Sequence, residues 1–298
     1  MNGFVNINKE KDWTSNDVVG KVKSILRHNG IKEKVGHTGT LDPNATGVLP
    51  ICIGTATKLS DAILNREKEY FCEIIFGIQT NTDDITGAVV RKMDVPPINL
   101  LKNAIENFVG IYDQVPPKYS AIKINGRKMY EYARKGENIE ILPRKVNIMK
   151  ISEIQNIDKN KFTFLVKCSK GTYIRALCRD IGEGIGTCAT MGDLKRVETS
   201  GFNLENAISI KEFEKEIEDR NFTNILSVDR IFTYKKLSVK KEGNKYLYNG
   251  NKINKYFIVE KDINPEEKYF LYDESQVLVG IYTLNEEFFK PDYFLFKK

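Results

Sequence analysis

The chain has 298 residues, 41% of them hydrophobic, which is enough for one large domain and a smaller one. Its net charge of +6, from 46 basic and 40 acidic side chains, is a mild excess that suits a polyanionic partner without requiring one. Five cysteines with no C-x-x-C pair and only two histidines, His28 and His37, exclude a zinc site and a disulfide scaffold. No signal-like segment or membrane-length apolar run is present, so a cytoplasmic protein with free thiols is expected.

Gly3-Phe4-Val5-Asn6-Ile7 alternates as a short strand. Ser15 then stands at an N-cap position ahead of Val18, Val19, Val22, Ile25 and Leu26 at helical spacing. Residues 36–50 hold three glycines, two prolines and three threonines, which neither a regular helix nor an interior strand tolerates. The run enters Val48-Leu49-Pro50-Ile51-Cys52-Ile53, which reads as a buried strand. Its one acid, Asp42, suits a nucleophile or a base at the bend of a tight loop, and equally an Asx turn or an N-cap before Pro43. His37, in the same loop, suits positioning or stacking better than proton transfer.

Residues 57–64 read as a short helix, 70–76 as an aromatic and β-branched strand, 79–87 as a polar turn and 100–108 as a helix. Two strands, 147–157 and 161–170, flank a turn at 158–160. A helix over 174–185 follows Gly171, and a charged surface helix occupies 211–220. Past about residue 228 aromatics become frequent, with short strand-like runs such as Tyr246-Leu247-Tyr248 before Asn249-Gly250, and a later one over 277–281. The pattern predicts an α+β fold rather than repeating βαβ units, with a large unit over 1–228 and a small β-rich unit over 229–298.

Three further features bear on chemistry. Arg175 falls one turn into a helix, where the macrodipole disfavours a cation, so a carboxylate or phosphate in front of it would make it comfortable; an ordinary surface arginine is the plain alternative. Tyr70 opens a strand and suits stacking or core packing, while Lys58 and Lys68 read singly as solvated. Between residues 118 and 146 eight basic side chains face three acidic ones, a surplus of five that concentrates nearly all the net charge. No phosphate-cradling Gly-x-x-x-x-Gly-Lys, dinucleotide Gly-x-Gly-x-x-Gly or metal-spaced carboxylate cluster occurs, so an enzyme without redox cofactor, nucleotide or metal is expected.

Together these runs resemble the TruB-type bacterial tRNA pseudouridine synthases. Gly36-His37-Thr38-Gly39-Thr40-Leu41-Asp42-Pro43-Asn44-Ala45-Thr46-Gly47 resembles the family's catalytic loop, and Trp13-Thr14-Ser15-Asn16-Asp17-Val18-Val19 its first motif. Lys68-Glu69-Tyr70 with Thr80, Thr82, Asp84 and Gly87 is similar to its tyrosine strand and turn. Pro116-Pro117-Lys118-Tyr119-Ser120-Ala121-Ile122-Lys123, with Gly126 and Tyr130-Glu131-Tyr132-Ala133-Arg134, resembles its RNA-gripping insertion. Residues 168–175 and Leu194-Lys195-Arg196 resemble later motifs, and the likeness keeps its order from about residue 3 to 202.

The resemblance implies a catalytic domain with a mixed, largely antiparallel sheet, followed by a small PUA-like domain. It implies isomerisation of uridine 55 in the tRNA T-loop by a chain acting alone, as a monomer without cofactor, metal or obligate protein partner. Asp42 is then the nucleophile, on C6 or on C1′, with Arg175 as its ion-pair partner and Tyr70 stacking on the flipped base. His37, Lys58, Asp84, Tyr173 and Leu194 fall among the substrate-contacting positions, and Lys123, Arg127 and Lys128 among those neutralising phosphates. The chain departs from the family where Glu10 follows Lys9 in place of proline, where Asp12 stands for glycine, and where Asn81 stands for a common aspartate. A guide-RNA-dependent dyskerin-type synthase, a tRNA-binding folding factor and a uracil N-glycosidase are the rival expectations.

Overall fold

The computed structural model describes residues 1–297 apart from Ala121 and Asn138, so Ala121 of the expected RNA-gripping run lies outside the described residues. The chain begins with β1 (Gly3–Lys9), α1 (Ser15–His28), β2 (Val35–His37), β3 (Thr46–Ile53), α2 (Ser60–Leu64) and β4 (Lys68–Phe76). There follow β5 (Ile78–Thr80), β6 (Val89–Lys92), α3 (Ile98–Glu106), β7 (Gly110–Gln114), the short hairpin β8 (Lys123–Ile124) and β9 (Arg127–Lys128), and α4 (Met129–Arg134). Next come β10 (Arg144–Asp158), β11 (Lys161–Cys168), α5 (Ile174–Gly184), β12 (Ala189–Thr199), β13 (Phe202–Asn203), α6 (Ile210–Glu218) and α7 (Val228–Ile231). The last stretch holds β14 (Lys235–Ser238), α8 (Asn244–Leu247), β15 (Ile253–Asn254), β16 (Lys268–Tyr272), β17 (Leu278–Asn285) and β18 (Phe288–Phe294).

A nine-stranded sheet in the order β1-β3-β12-β4-β11-β10-β7, with β2 on β3 and β13 on β12, organises the first part of the chain. Its described pairings are antiparallel except where β12 runs parallel to β3, bringing Arg196 opposite Gly47. This is the mixed, largely antiparallel α+β arrangement expected from the sequence. β3 is buried almost throughout because both its faces are covered, Leu49, Ile51 and Ile53 packing into the main core and Val48 and Cys52 into a second apolar cluster, so its sequence is a continuous apolar run rather than an alternating one. Its second residue, Gly47, has φ +99°, and a Cβ there would lie 2.3 Å from the Arg196 carbonyl oxygen. Gly47→Ala should therefore lose about 2–5 kcal/mol, from backbone strain and overpacking together, in a denaturant titration. A loss below about 1 kcal/mol would mean that β12 and β3 can part there without cost.

Three local expectations are corrected. The N-cap of α1 is Thr14, not Ser15: Thr14 and Asp17 form a reciprocal capping box, and the Ser15 hydroxyl is free to bond elsewhere. Tyr246 and Leu247 lie in α8, not in a strand, because the apolar spacing there buries Leu247 under a single helical turn. α6 carries charge outward but is more than a surface helix: Ile210, Phe213 and Ile217 are buried in the main core.

A five-stranded sheet, β14-β16-β17-β18-β15, gathers the C-terminal strands into the expected small β-rich unit. Phe270, Tyr272, Ile281 and Leu295 share one apolar cluster with Phe4, Val48, Ala56 and Leu59, so the two units meet across continuous core rather than across water. Lys58 lies on this seam, donating to the Phe294 carbonyl at 2.6 Å, with its ammonium 5.4 Å from the Phe294 ring centroid.

Candidate active site

The loop between β2 and β3 is pinned residue by residue. Ser15 Oγ accepts from Leu41 N at 2.8 Å and donates to Leu41 O at 3.1 Å, so the first turn of α1 grips the residue before Asp42. Pro43, the residue after it, has its carbonyl occupied by Asp12 N at 2.8 Å and by Lys9 Nζ at 3.1 Å. Asp12 holds φ +68°, the left-handed conformation for which a glycine is the usual choice. The departure from the family motif at that position thus keeps the glycine geometry. Lys9 is fully buried, and its ammonium also donates to the carbonyls of Glu10 and Trp13. Burial brings its pKa down to about 8.

Between these pins the Asp42 carboxylate turns away from its own backbone toward α5. Arg175 meets it with two donors, Nε at 2.9 Å and Nη2 at 3.3 Å, the fork-to-carboxylate geometry that only a guanidinium makes. The same side chain donates to the Thr82 carbonyl at 3.2 Å and the Tyr119 carbonyl at 3.0 Å, and lies 3.7 Å from Asp84. Asp84 is in turn held by Thr82 Oγ1 at 2.9 Å and Thr86 N at 2.9 Å. The unfavourable place of Arg175 at a helix start is thereby compensated by two carboxylates and two carbonyls. The plain readings of Asp42 as a cap and of Arg175 as a surface arginine are both set aside by this pair.

Arg175 is almost wholly buried, whereas about a third of the Asp42 side chain is open. Desolvation pushes the Asp42 carboxyl above its ordinary 3.8, against the pull of Arg175, and nearby Asp84 adds to the rise. The pair therefore aims the carboxylate without making it a weak base. If the ionised carboxylate is the reactive form, the single-turnover rate should fall in acid through a pKa above 3.8, the proton on Asp42 being what abolishes it. A pH–rate profile whose acid limb sits below 3.8 in folded protein would contradict this assignment.

The carboxylate opens onto a cavity of about 670 Å³ whose walls include Tyr70, Tyr119, Tyr130, Tyr173, Lys68 and Leu194. That is room for a nucleobase and its sugar, with several flat aromatic faces. Tyr70 is 7% exposed, and burial brings its hydroxyl up to about 12. Tyr173 is fixed through its backbone by Gln114, which accepts from its N–H at 2.8 Å and donates to its carbonyl at 3.2 Å. Leu194 reaches the cavity from β12. Lys68 is not the solvated lysine expected: it is 8% exposed, with its ammonium on the carbonyls of Leu64 and Arg66 at 2.9 Å each.

The remaining expected site residues lie off this floor. His37 ends β2 and accepts from Gly39 N at 3.3 Å through Nδ1; burial, with Arg196 nearby, lowers its pKa and favours the neutral ring. Lys58 does not line the cavity. Lys123, Arg127 and Lys128 form the β8–β9 hairpin beside the cavity-lining Tyr130. Arg127 is stacked 4.1 Å from the Tyr132 ring centroid and paired with Glu137 at 3.3 Å, so it is less free than its two neighbours. Among the described residues no group of three or more His, Cys, Asp or Glu is placed to hold a metal ion, and no helix is long and apolar enough to cross a membrane. The sequence reading passed over Lys9, Gln114 and Arg196 as parts of the site, because each acts through backbone groups that other segments deliver.

Residues 23–174 match the N-terminal domain of the TruB family of pseudouridylate synthases, and residues 175–232 match the tRNA pseudouridylate synthase B C-terminal domain. A tRNA pseudouridine synthase B of Alkaliphilus oremlandii is 46% identical over 264 residues, covering 87% of this chain and 85% of that protein. A tRNA pseudouridine synthase B of Clostridium perfringens is 38% identical over 301 residues, covering 100% of both. Among solved structures, a chain of an H/ACA RNP bound to a substrate RNA containing 2′-deoxyuridine superposes with a TM-score of 0.69 at 22% identity, covering 99% of this chain and 85% of that one. A chain of the archaeal box H/ACA sRNP Nop10-Cbf5 complex gives 0.69 at 21%, covering 99% and 86%, which extends the shared fold over both units. With Asp42, Tyr70 and Arg175 gathered at one cavity and both family domains matched in order, the chain belongs to the TruB family of pseudouridylate synthases.

Proposed function

We propose that the protein converts uridine 55 of the tRNA T-loop to pseudouridine, acting alone, with Asp42 as its nucleophile. Residues 1–228 would supply the catalytic unit and 229–298 the smaller β-rich one. The observation that carries the assignment is the two-donor Asp42–Arg175 pair at the floor of a nucleoside-sized cavity. In the reaction the N1–C1′ bond breaks, the uracil turns, C5 bonds to C1′, and the C5 proton leaves while N1 gains one. No electrons are exchanged, which fits a site built from a carboxylate, a guanidinium and phenols.

The base must leave its stack to reach Asp42, at a cost of a few kcal/mol that stacking on the aromatic walls offsets. Tyr70, on the cavity wall, would take one face of the ring. Asp42 can then add to C6 or displace at C1′, and either route needs the carboxylate ionised and aimed. Unmodified tRNA tritiated at uracil C5 tests the reading: the pure chain should release tritium, and digested product should keep the mass of uridine. Loss of uracil mass would identify a glycosidase instead, and a need for added guide RNA would remove the stand-alone reading.

The β8–β9 hairpin suits a phosphate clamp, and its geometry refines what its removal should do. Because Arg127 is already paired with Glu137, the triple change Lys123→Gln, Arg127→Gln, Lys128→Gln should lower the salt slope of tRNA binding by about two contacts' worth, near 1.5, rather than three. Filter binding across a salt series measures this, and an unchanged slope would count against the clamp.

A further inference from the structure

Arg196, in the middle of β12, is fully buried, and among the described residues no carboxylate lies within ion-pairing distance of it. A guanidinium removed from water without a counter-ion is costly, so its hydrogen-bond partners must hold it, and those partners surround the site. Its Nε donates to the Val48 carbonyl at 2.7 Å and its Nη2 to the Gly39 carbonyl at 3.2 Å. Gly39 precedes Asp42 by three residues and Val48 follows the loop into β3, so one side chain ties the loop at both ends. On the other side, β12 pairs with β4 so that Arg196 stands directly opposite Tyr70, on the same face of adjacent strands. A Cβ on Gly39 would meet the guanidinium at 3.5 Å, ordinary contact distance, while the Arg196 backbone passes so close to Gly47 that a Cβ there would sit 2.3 Å from its carbonyl oxygen.

We propose that Arg196 is a positioning residue that holds the Asp42 loop closed and sets the Tyr70 hydroxyl in register with it, linking the nucleophile and the stacking ring through one buried cation. Arg196 does not line the cavity, so it acts through these two residues and not on the reacting atoms. Two physical consequences follow. A lysine keeps the charge but cannot reach Val48 and Gly39 together, so the fork matters as much as the cation. The cation also opposes the burial that raises the Tyr70 hydroxyl, so negative charge developing on that oxygen costs less while Arg196 is present.

The proposal rests on the assignment of Asp42 and Tyr70 made above, and the experiment separates the two. Arg196→Lys and Arg196→Met are compared with wild type, Asp42→Asn and Tyr70→Phe for melting temperature, tRNA affinity and single-turnover tritium release. Both Arg196 variants are expected to fold and to bind tRNA within about twofold of wild type, with the rate lowered roughly 100-fold. In a Tyr70→Phe background the Arg196→Met change should cost clearly less than its roughly 100-fold in wild type, since the Tyr70 half of the link is already gone while the Gly39 and Val48 ties remain to be lost. A rate near wild type, losses that multiply in the double variant, or a rate that falls only in step with binding and melting would each overturn the proposal. Tritium release by Asp42→Asn would overturn the site assignment itself.

An arm that leaves Arg196 in place covers variants that fail to fold or are too slow to compare. In protein labelled with ¹⁵N-arginine, the slowly exchanging Nε–H of this buried residue should shift when Tyr70 becomes Phe. An unmoved resonance would show that the two side chains are not coupled.

Discussion

Asp42→Asn is expected to abolish pseudouridine formation, by at least roughly 10⁴-fold in single-turnover rate, while tRNA binding stays within a few-fold. The size of the loss follows from the role. A carboxamide is nearly the same shape as a carboxylate but is no nucleophile, and among the described residues no second carboxylate lines the cavity to replace it, since Asp84 is turned into its own threonine turn. The retention of binding follows from the loop. Leu41 is held by Ser15 and Pro43 by Lys9 and Asp12, so the backbone on either side of the substitution does not depend on the carboxylate. The amide oxygen can still accept one bond from Arg175, although its NH₂ group faces the other donor. Tritium release within about tenfold of wild type would remove Asp42 from the nucleophile role, whatever its place in the motif.

How much of this site the sequence announces depends on whether a residue acts through its own side chain's usual habit. The Asp42 loop, Tyr70 and Arg175 were legible because their residue types and order are those of one family. The strands with clean alternation or continuous apolar runs, β1, β3, β4 and β11, were legible for the same reason that they are stable: one face or both are buried. β12 was not, although it is central to the sheet. Its pairing with β4 shifts register between Met191 and Leu194 and again between Arg196 and Glu198, which breaks the alternation a reader looks for. It also buries an arginine, against the ordinary expectation for that residue. Lys9 and Lys68 fail the same expectation for the same reason. Each ammonium is satisfied by backbone carbonyls, and which carbonyls converge on a point is decided by tertiary structure. Ser15 is the small-scale version: capping chemistry pointed to the right turn but to the wrong hydroxyl, because Thr14 caps the helix and Ser15 is used for the catalytic loop.

Arg175→Lys is expected to lower the single-turnover rate by roughly 10²–10³-fold with tRNA affinity nearly unchanged. The guanidinium makes four hydrogen bonds or ion-pair contacts to Asp42, Thr82 and Tyr119 and lies beside Asp84, and its planar fork fits the Asp42 carboxylate with two parallel donors. An ammonium on a single stem keeps the charge near Asp42 but cannot fix the carboxylate's plane while also holding the two carbonyls, so the nucleophile is present and poorly aimed. Arg175→Met goes further, because it leaves Asp42 and Asp84 without their shared cation. Removing one partner of a buried pair costs about 3 kcal/mol here, the lower end of the range, since a third of Asp42 remains open to water. The sign of its pH dependence distinguishes this cause from simple loss of packing. Without the arginine the folded-state pKa of Asp42 rises further above its unfolded value, so the variant's folded state binds a proton more readily than its unfolded chain. Its deficit in stability should therefore shrink as pH falls through that range and be greatest at neutral pH, as read from denaturant midpoints at several pH values. A deficit that is flat with pH would point to lost packing around α5, and a lysine variant as fast as wild type would show that charge alone, without the fork, suffices at this site.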